Sequence, residues 1–399
     1  MQLAGWNELL LPARLQIREV SGVRSQLSLV SRTEPDIEDL PAKCVQEAWT
    51  CASGLLKSHP CIVTLELSLE TLGNCKDLLL GALKDNSSVK NLKISEYPKK
   101  LRKDISKVLA SMRALEKIEI ENAKPSLELQ SAISTVLRTT VSLRVLRING
   151  LEPLRSASVL LNALFANGTL NELSFNESLL SSLGAAHRRA FEEYLEKSVT
   201  LTTFEFFGGK PWSFNESIFS TVLYGLVRNK TIRRLNIIRV TLGCESNRLL
   251  TQLLETKKCL RCFKLNLSSP HFVPRCCNRP DEHSSWMLAA AKSKTLEEVT
   301  LDIDICGAPK WRLFLVALSS NTSSMKVHIE AFGDSRNAMV DVCREIRERR
   351  IHDRVSFSTQ VQVQNIEVLQ CKALSEVSMC LEVGRNIEQW PLFAGAASL

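Results

Sequence analysis

The hexapeptides LEKIEI (115–120) and LRVLRI (143–148) carry one arrangement of side chains, apolar-x-x-apolar-x-apolar. The last three positions alternate, so an extended chain turns two apolar residues to one side and leaves the residues between them on the other. The same arrangement recurs upstream as IVTLEL (62–67) and VKNLKI (89–94). Downstream it returns as LNELSF (170–175), LTTFEF (201–206), IRRLNI (232–237), LRCFKL (260–265) and LEEVTL (296–301). Two weaker copies are SMKVHI (324–329) and HDRVSF (352–357). Taking the fourth position of each as an anchor gives Leu65, Leu92, Ile118, Leu146, Leu173, Phe204, Leu235, Phe263, Val299, Val327 and Val355, spaced 26 to 36 residues apart.

Residues that played no part in choosing the anchors test the register. Nine positions before the second to tenth anchors stand Leu83, Leu109, Leu137, Leu164, Leu195, Leu226, Leu254, Ala290 and Leu318. Thirteen positions before stand Leu79, Ile105, Ile133, Leu160, Phe191, Val222, Leu250, Trp286 and Phe314. All are apolar, and a four-residue gap places the two columns on one helix face. Each unit of about 28 residues is therefore a short strand followed by a helix. One unit cannot bury both apolar faces alone, whereas stacked parallel copies can. The expected fold is α/β: a curved solenoid of about 10–11 repeats, with parallel strands on the concave face and helices on the convex face.

This pattern resembles the ribonuclease-inhibitor-like class of leucine-rich repeats, which includes the repeat domains of NOD-like receptors and of Ran GTPase-activating proteins. The resemblance covers roughly residues 50–360. The chain departs from the class where an Asn or Cys normally follows the second strand Leu by three residues: Glu70, Tyr97, Ala123, Leu151, Ser178, Gly209, Val240, Ser268 and Asp304 stand there. Irregular convex turns are expected as a result. The ends read as caps. Residues 1–58 form an N-terminal cap, with an extra strand at Ser25–Val30 and a first covering helix at Ala42–Lys57. Residues 59–360 are the repeat array, and 361–399 a capping helix (Asn365–Val383) and tail.

Composition narrows the class. Apolar residues make up 44% and charged residues 24% of 399, as in a folded water-soluble protein. There is no 18-residue apolar run, and the N-terminus reads as lacking a secretory signal, so no membrane span and a cytoplasmic location are expected. Thirteen cysteines, an odd number scattered through periodic segments, favour reduced thiols. The net charge of +8 is a mild excess. Its clusters, KKLRK (99–103), RNKTIRRLNIIR (228–239) and REIRERRIHDR (344–354), read as solvated helix faces and loops.

Two motifs invite sharper readings. N-x-S/T sequons start at Asn86, Asn167, Asn176, Asn215, Asn229, Asn266 and Asn321. Four of them, Asn86, Asn167, Asn229 and Asn321, stand six residues before an anchor, at the end of the repeat helix. There Asn is expected to adopt a left-handed terminating conformation rather than carry sugar. The segment Cys259–His283 holds Cys259, Cys262, His271, Cys276, Cys277 and His283, but its spacing matches no standard zinc finger, and no metal or cofactor is expected. Motifs for nucleophilic, nucleotide-binding or metalloprotease chemistry do not occur, so no catalytic residue is assigned.

Positions one before, one after and three after each anchor should face the concave side. They carry the acids Glu66, Glu119, Glu121, Glu172, Glu205, Glu298, Asp302 and Glu330 and the bases Lys93, Lys117, Arg147, Arg234, Lys264, Lys326 and Arg354. That near balance speaks for a protein partner, and no nucleic-acid partner is expected. In the third column most residues are polar, while Phe207 and Ile238 are apolar. Bordered by Glu205, Arg234 and Asn236, they read as a candidate interface core, unless the long loop with Trp212 and Phe214 covers them. The expected function is a non-enzymatic protein–protein interaction scaffold, recognition subunit or adaptor, in a ubiquitin-ligase or signalling assembly. The resemblance also implies two alternatives, a small-GTPase regulator and a ligand-sensing innate-immune protein. The non-acidic ending GRNIEQWPLFAGAASL departs from the acidic tail of the first.

Leu137→Asp tests the register, because it puts an unpaired charge into a core shared by neighbouring repeats. A loss on the order of 3 kcal/mol or more is expected in chemical denaturation; an unchanged melting temperature would count against the assignment.

Overall fold

The computed structural model describes residues 3–360 apart from 24, 33–40, 69–74, 85, 96–101, 122–126, 150–156, 182, 210–214, 268–284, 303–307 and 333–335. The capping helix and tail expected beyond 360 lie outside the described residues. The chain forms two compact units, 1–207 and 208–399.

In the first unit, α1 (Leu3–Leu10) and a 3-10 turn (Leu11–Ala13) lead into β1 (Leu15–Glu19) and β2 (Leu27–Ser31). Helices and strands then alternate: α2 (Ala42–Ser58), β3 (Ile62–Ser68), α3 (Lys76–Lys84), β4 (Asn91–Ser95), α4 (Arg102–Ser111) and β5 (Lys117–Glu121). They continue as α5 (Leu127–Thr139), β6 (Val145–Asn149), α6 (Ala157–Ala166), β7 (Glu172–Asn176), α7 (Ser178–Ser181), α8 (Ala185–Lys197) and β8 (Thr203–Phe207). From β2 to β8 every neighbouring pair is parallel. The anchors pair with one another, Leu65↔Leu92, Leu92↔Ile118, Ile118↔Leu146, Leu146↔Leu173 and Leu173↔Phe204. Leu29↔Leu65 extends the series one strand upstream.

The second unit repeats the plan with α9 (Glu216–Arg228), β9 (Arg234–Val240), α10 (Cys244–Thr256), β10 (Cys262–Leu267) and α11 (Ser285–Lys292). It goes on through β11 (Glu298–Asp302), α12 (Ala308–Ser320), β12 (Lys326–Phe332), α13 (Arg336–Arg349) and β13 (Val355–Gln360). Its anchors also pair in parallel register, Leu235↔Phe263, Phe263↔Val299, Val299↔Val327 and Val327↔Val355. The chain is an α/β leucine-rich-repeat solenoid, with the strands of each unit in one layer and, from β2 onward, helix between successive strands. No described helix is long and apolar enough to cross a membrane.

Burial explains the register. The anchors and the residues two after them are all buried, as are the expected helix columns; Ile105 lies outside the described side chains. The columns also reach further than the sequence reading took them, to Ala52 and Leu56 at one end and Val342 and Ile346 at the other. The two weaker copies lack the apolar residue three before the anchor. Met325 and Ile351, each one position away, are buried in its place. The 31-residue spacing between Leu173 and Phe204 accommodates α7 and an aromatic core. Phe175 meets Phe191, Phe204 and Phe206 edge-on, with ring centroids 5.2, 5.6 and 5.8 Å away.

The N-terminal cap differs from expectation in part. β2 and α2 occupy the expected strand and covering helix, but β1 was not anticipated, and it pairs antiparallel with β2 through Ile17↔Leu29. Asn7 on α1 holds it: its Nδ2 donates to the Ile17 carbonyl at 3.1 Å and its Oδ1 accepts the Ile17 N–H at 2.6 Å. A hairpin covers the outer side of β2, which would otherwise be a bare sheet edge.

The asparagines six before the anchors do not terminate helices in left-handed geometry. Asn229 has φ −62°, and the described non-glycine residues with positive φ are Arg14, Ser25, Arg239 and Arg350. The side chains act as brackets instead. Asn167 Nδ2 donates to the Leu137 carbonyl of the preceding repeat at 2.8 Å, while its Oδ1 accepts from the N–H groups of Thr169 at 2.9 Å and Leu170 at 3.1 Å. Asn86 makes the equivalent bonds to the Leu56 carbonyl and to the N–H groups of Ser88 and Val89. In the second unit Asn321 Nδ2 donates to the carbonyls of Ala291 and Ser293, at 2.7 and 2.8 Å. Closing this turn through a side chain lets the helix pass directly into extended chain, so no left-handed residue is required.

Asn167→Ala leaves a half-buried carbonyl and two amides without these partners. A loss of about 1–3 kcal/mol is expected, read from urea denaturation; a loss within experimental error would mean that water replaces the bracket.

Candidate binding face

The strands place alternate side chains on the side away from the helices. In the first unit this open face is a charge network centred on Glu119 of β5, only 7% exposed. Lys117 Nζ lies 2.9 Å from its carboxylate, and Lys93 Nζ and Arg147 Nη1 each lie 3.9 Å away. Lys93 also pairs with Glu121 at 3.1 Å, and Arg147 Nε with Glu172. Burial pushes the Glu119 carboxyl up, but the Lys117 hydrogen bond and the Lys117, Arg147 and Lys93 charges outweigh it, leaving the group below its ordinary range. For Arg147 burial works against the charge, and Glu172, Glu119 and Glu205 more than restore it. Three cations and three carboxylates on β4 to β7 thus neutralise one another.

The second unit pairs its face charges across a longer reach. Lys264 Nζ lies 2.6 Å from Glu330, two strands away, and Asn266 Nδ2 donates to Asp302 at 3.1 Å. His328 Nε2 stands 3.7 Å from Glu298, and its Nδ1 meets the Ser356 hydroxyl. Arg354, expected on this face, turns the other way. Its guanidinium donates to the carbonyls of Leu318 at 3.0 Å, Asn321 at 2.9 Å and Met325 at 3.3 Å. A turn of free carbonyls next to the strand start draws the cation away from the face.

The five candidate contact residues divide between the units. Glu205 and Phe207 lie on β8 of the first, both half-buried, with Phe207 in register beside Asn176. Arg234, exposed, and Asn236 and Ile238, half-buried, lie on β9 of the second. Arg234 faces Cys262 in register, its Nη2 4.0 Å from the sulfur, and Ile238 faces Asn266. β9 ends in a bulge at Arg239, φ 56°. The Gly208 N–H donates to the Ile238 carbonyl at 2.8 Å, and a Cβ on Gly208 would fall 1.9 Å from the Arg239 carbonyl oxygen, so only glycine fits there. Trp212 and Phe214 lie outside the described residues.

In the Cys259–His283 segment, Cys259 and Cys262 are free thiols, while His271, Cys276, Cys277 and His283 lie outside the described residues. No group of three or more His, Cys, Asp or Glu side chains among the described residues is placed to hold a metal ion. Cys244, exposed at the first position of α10, is disulfide-bonded, which corrects the expectation of reduced thiols throughout.

Sequence reasoning passed over the loop edge, where each helix hands over to the next strand. Five residues before their anchors, Val141 and Val199 of the first unit are each 80% exposed. Beside Val199 runs a shallow groove of about 420 Å³ floored by Phe165 and Tyr194. At the same offset in the second unit stand Lys230, Lys258 and Lys294, all exposed. Both rows stand at a fixed count back from the anchors, five residues, an offset that neither the strand pattern nor the helix columns use.

No family model matches the chain, and no curated protein does. Among solved structures, the leucine-rich-repeat-containing protein LegL7 of Legionella pneumophila is similar over 74% of this chain and 93% of its own, at 13% identity and a TM-score of 0.45. The complex of Rad7 and Elc1 in yeast is similar over 79% of this chain and 80% of its own, at 11% identity and a TM-score of 0.41.

Because its folded pKa is depressed, the Glu119 contribution is present above the ordinary carboxylate pKa of 4.5 and lost as pH falls through the folded value. Glu119→Gln should therefore cost roughly 1–3 kcal/mol at pH 7. The gap from wild type should narrow in denaturant melts below about pH 4.5; a gap constant from pH 7 to pH 3 would assign the effect to packing.

Proposed function

We propose that the chain is a non-enzymatic recognition scaffold that binds a protein partner on its strand face. The observation that carries this reading is the third strand column. Its described positions are polar except at Phe207 and Ile238, which stay partly exposed although the rest of the apolar sequence pattern is buried. Half-exposed aromatic and aliphatic side chains beside Glu205, on β8, and beside Arg234 and Asn236, on β9, have the make-up of interface anchors with a polar rim. The face charges of the first unit are already paired internally, so affinity there would come from apolar contact, with charge serving specificity. A ubiquitin-ligase or signalling assembly is the setting proposed here. No specific side chain favours the small-GTPase or innate-immune readings over this one.

Photo-crosslinking tests the face directly. A benzophenone amino acid at position 207 or 238 should trap one defined protein in cells, and the same probe at Glu193, exposed on α8, should not. Phe207→Ala and Ile238→Ser should each reduce capture at least about tenfold with circular dichroism unchanged. Equal capture from position 193 would move the partner site off the strand face.

A further inference from the structure

Part of the basic charge of the second unit is gathered by register rather than scattered over helix faces. The ladder that aligns β9, β10 and β11 continues backwards into the loops. The N–H groups of Arg261 and Cys262 donate to the Arg233 carbonyl, and those of Glu297 and Glu298 to the Arg261 carbonyl. Further back, the Thr295 hydroxyl donates to the Lys257 carbonyl at 3.1 Å. Residues at one offset from the anchor therefore stack at about the strand spacing, roughly 4.8 Å per repeat.

The segments 227–233, 255–261 and 291–297 stack in this way and carry eight basic side chains against two acidic ones. That is a local excess of six on a chain whose whole excess is eight. Lys230, Lys258, Lys292 and Lys294 are exposed, and their ammonium groups have no ion pair or hydrogen bond among the described residues. Among the described residues Glu297 pairs with Arg261, at 3.4 Å. Burial pushes the Lys257 ammonium below its ordinary range, and the nearby Lys230 charge adds to this against a favourable Cys259. Uncompensated like charges this close work against the folded state, and an anion laid along the row relieves them.

The chemistry of the row selects among anions. The three segments contain no Phe, Trp or Tyr, so the edge has no platform for stacking the bases of a single strand. Among the described residues of the second unit the exposed large apolar side chains are Leu313 and Val316, both on α12, so these three segments offer an acidic protein no described apolar anchor. Rows of lysine, as flexible point charges, suit a regular string of phosphates, which binds through counterion release without anchors or base reading.

We propose that this loop edge binds the phosphate backbone of a nucleic-acid duplex, independently of sequence. The proposal goes beyond the protein-scaffold reading and does not rest on it, since the near balance of charge on the strand face leaves out these loops.

Fluorescence anisotropy with the full chain and labelled 20-base-pair duplexes, one DNA and one RNA, tests it. Binding in roughly the 10⁻⁶–10⁻⁴ M range near physiological salt is expected, weakening steeply with salt, and the tighter duplex names the source. K230Q/K258Q/K294Q should lose at least about tenfold in affinity and flatten the log–log salt slope by about 3, with single K258Q flattening it by about 1. K43Q/K107Q/K197Q removes the same charge from exposed sites of the first unit and should bind as wild type. Circular dichroism melts should be unchanged for all three variants. The proposal is overturned by no duplex binding at 50 mM salt, or by an equal loss in the first-unit variant. It is also overturned if polyglutamate or phosphatidylserine vesicles displace the duplex at lower charge concentration than unlabelled duplex does.

Discussion

Everything in this structure hangs on one repeated contact, an apolar strand residue lying in register beside its counterpart in the next repeat. From Leu29 to Phe204 in one unit, and from Leu235 to Val355 in the other, each anchor pairs with the next. A slip of one residue would turn Ile118 and Ile120 to the open side and bury Lys117 and Glu119 in the helix layer. That error is costly enough to fix the register at every strand. Because the strands cannot slip, every other offset becomes a row, and rows rather than single residues are the elements from which function is built here.

The rows differ in how they treat charge. On the open face of the first unit, opposite charges on neighbouring strands settle against each other around Glu119, and little net field remains for a partner. At the loop edge of the second unit, lysines repeat with like sign and stay unsatisfied. A mild overall charge therefore conceals a paired surface and an unpaired one, and composition cannot separate them.

Much of the fold was legible because burial leaves a periodic mark. The anchors and helix columns could be read since stacked repeats share a core, which demands an apolar residue at the same offset each time. The N-terminal hairpin left no such mark. β1 occurs once, and its polar tie to α1 runs through the Asn7 side chain, which bonds the backbone of Ile17 ten residues on. Arg354 misled for a related reason. Its offset predicts the open face, but three neighbouring carbonyls decide its direction, and carbonyls carry no sequence signal. The candidate contacts Phe207 and Ile238 were readable as exceptions within a polar column, and their half-buried state agrees with that placement. The lysine row was equally readable, but only along an offset that strand logic gives no reason to inspect.

The asparagine brackets have a consequence for how the chain can be made. Asn86 engages both of its amide hydrogens, with the Leu56 carbonyl and the Ser88 hydroxyl, and Asn321 engages both of its own with the carbonyls of Ala291 and Ser293. Each also opens an N-x-S/T triplet. An oligosaccharide transferred to these nitrogens on the nascent chain would replace a hydrogen that the finished repeat needs and wedge a sugar between neighbouring turns. In a glycosylating lumen, folding would have to outrun the transferase at every such turn. The triplets that look like addresses for secretion are, for this architecture, hazards of biosynthesis along that route.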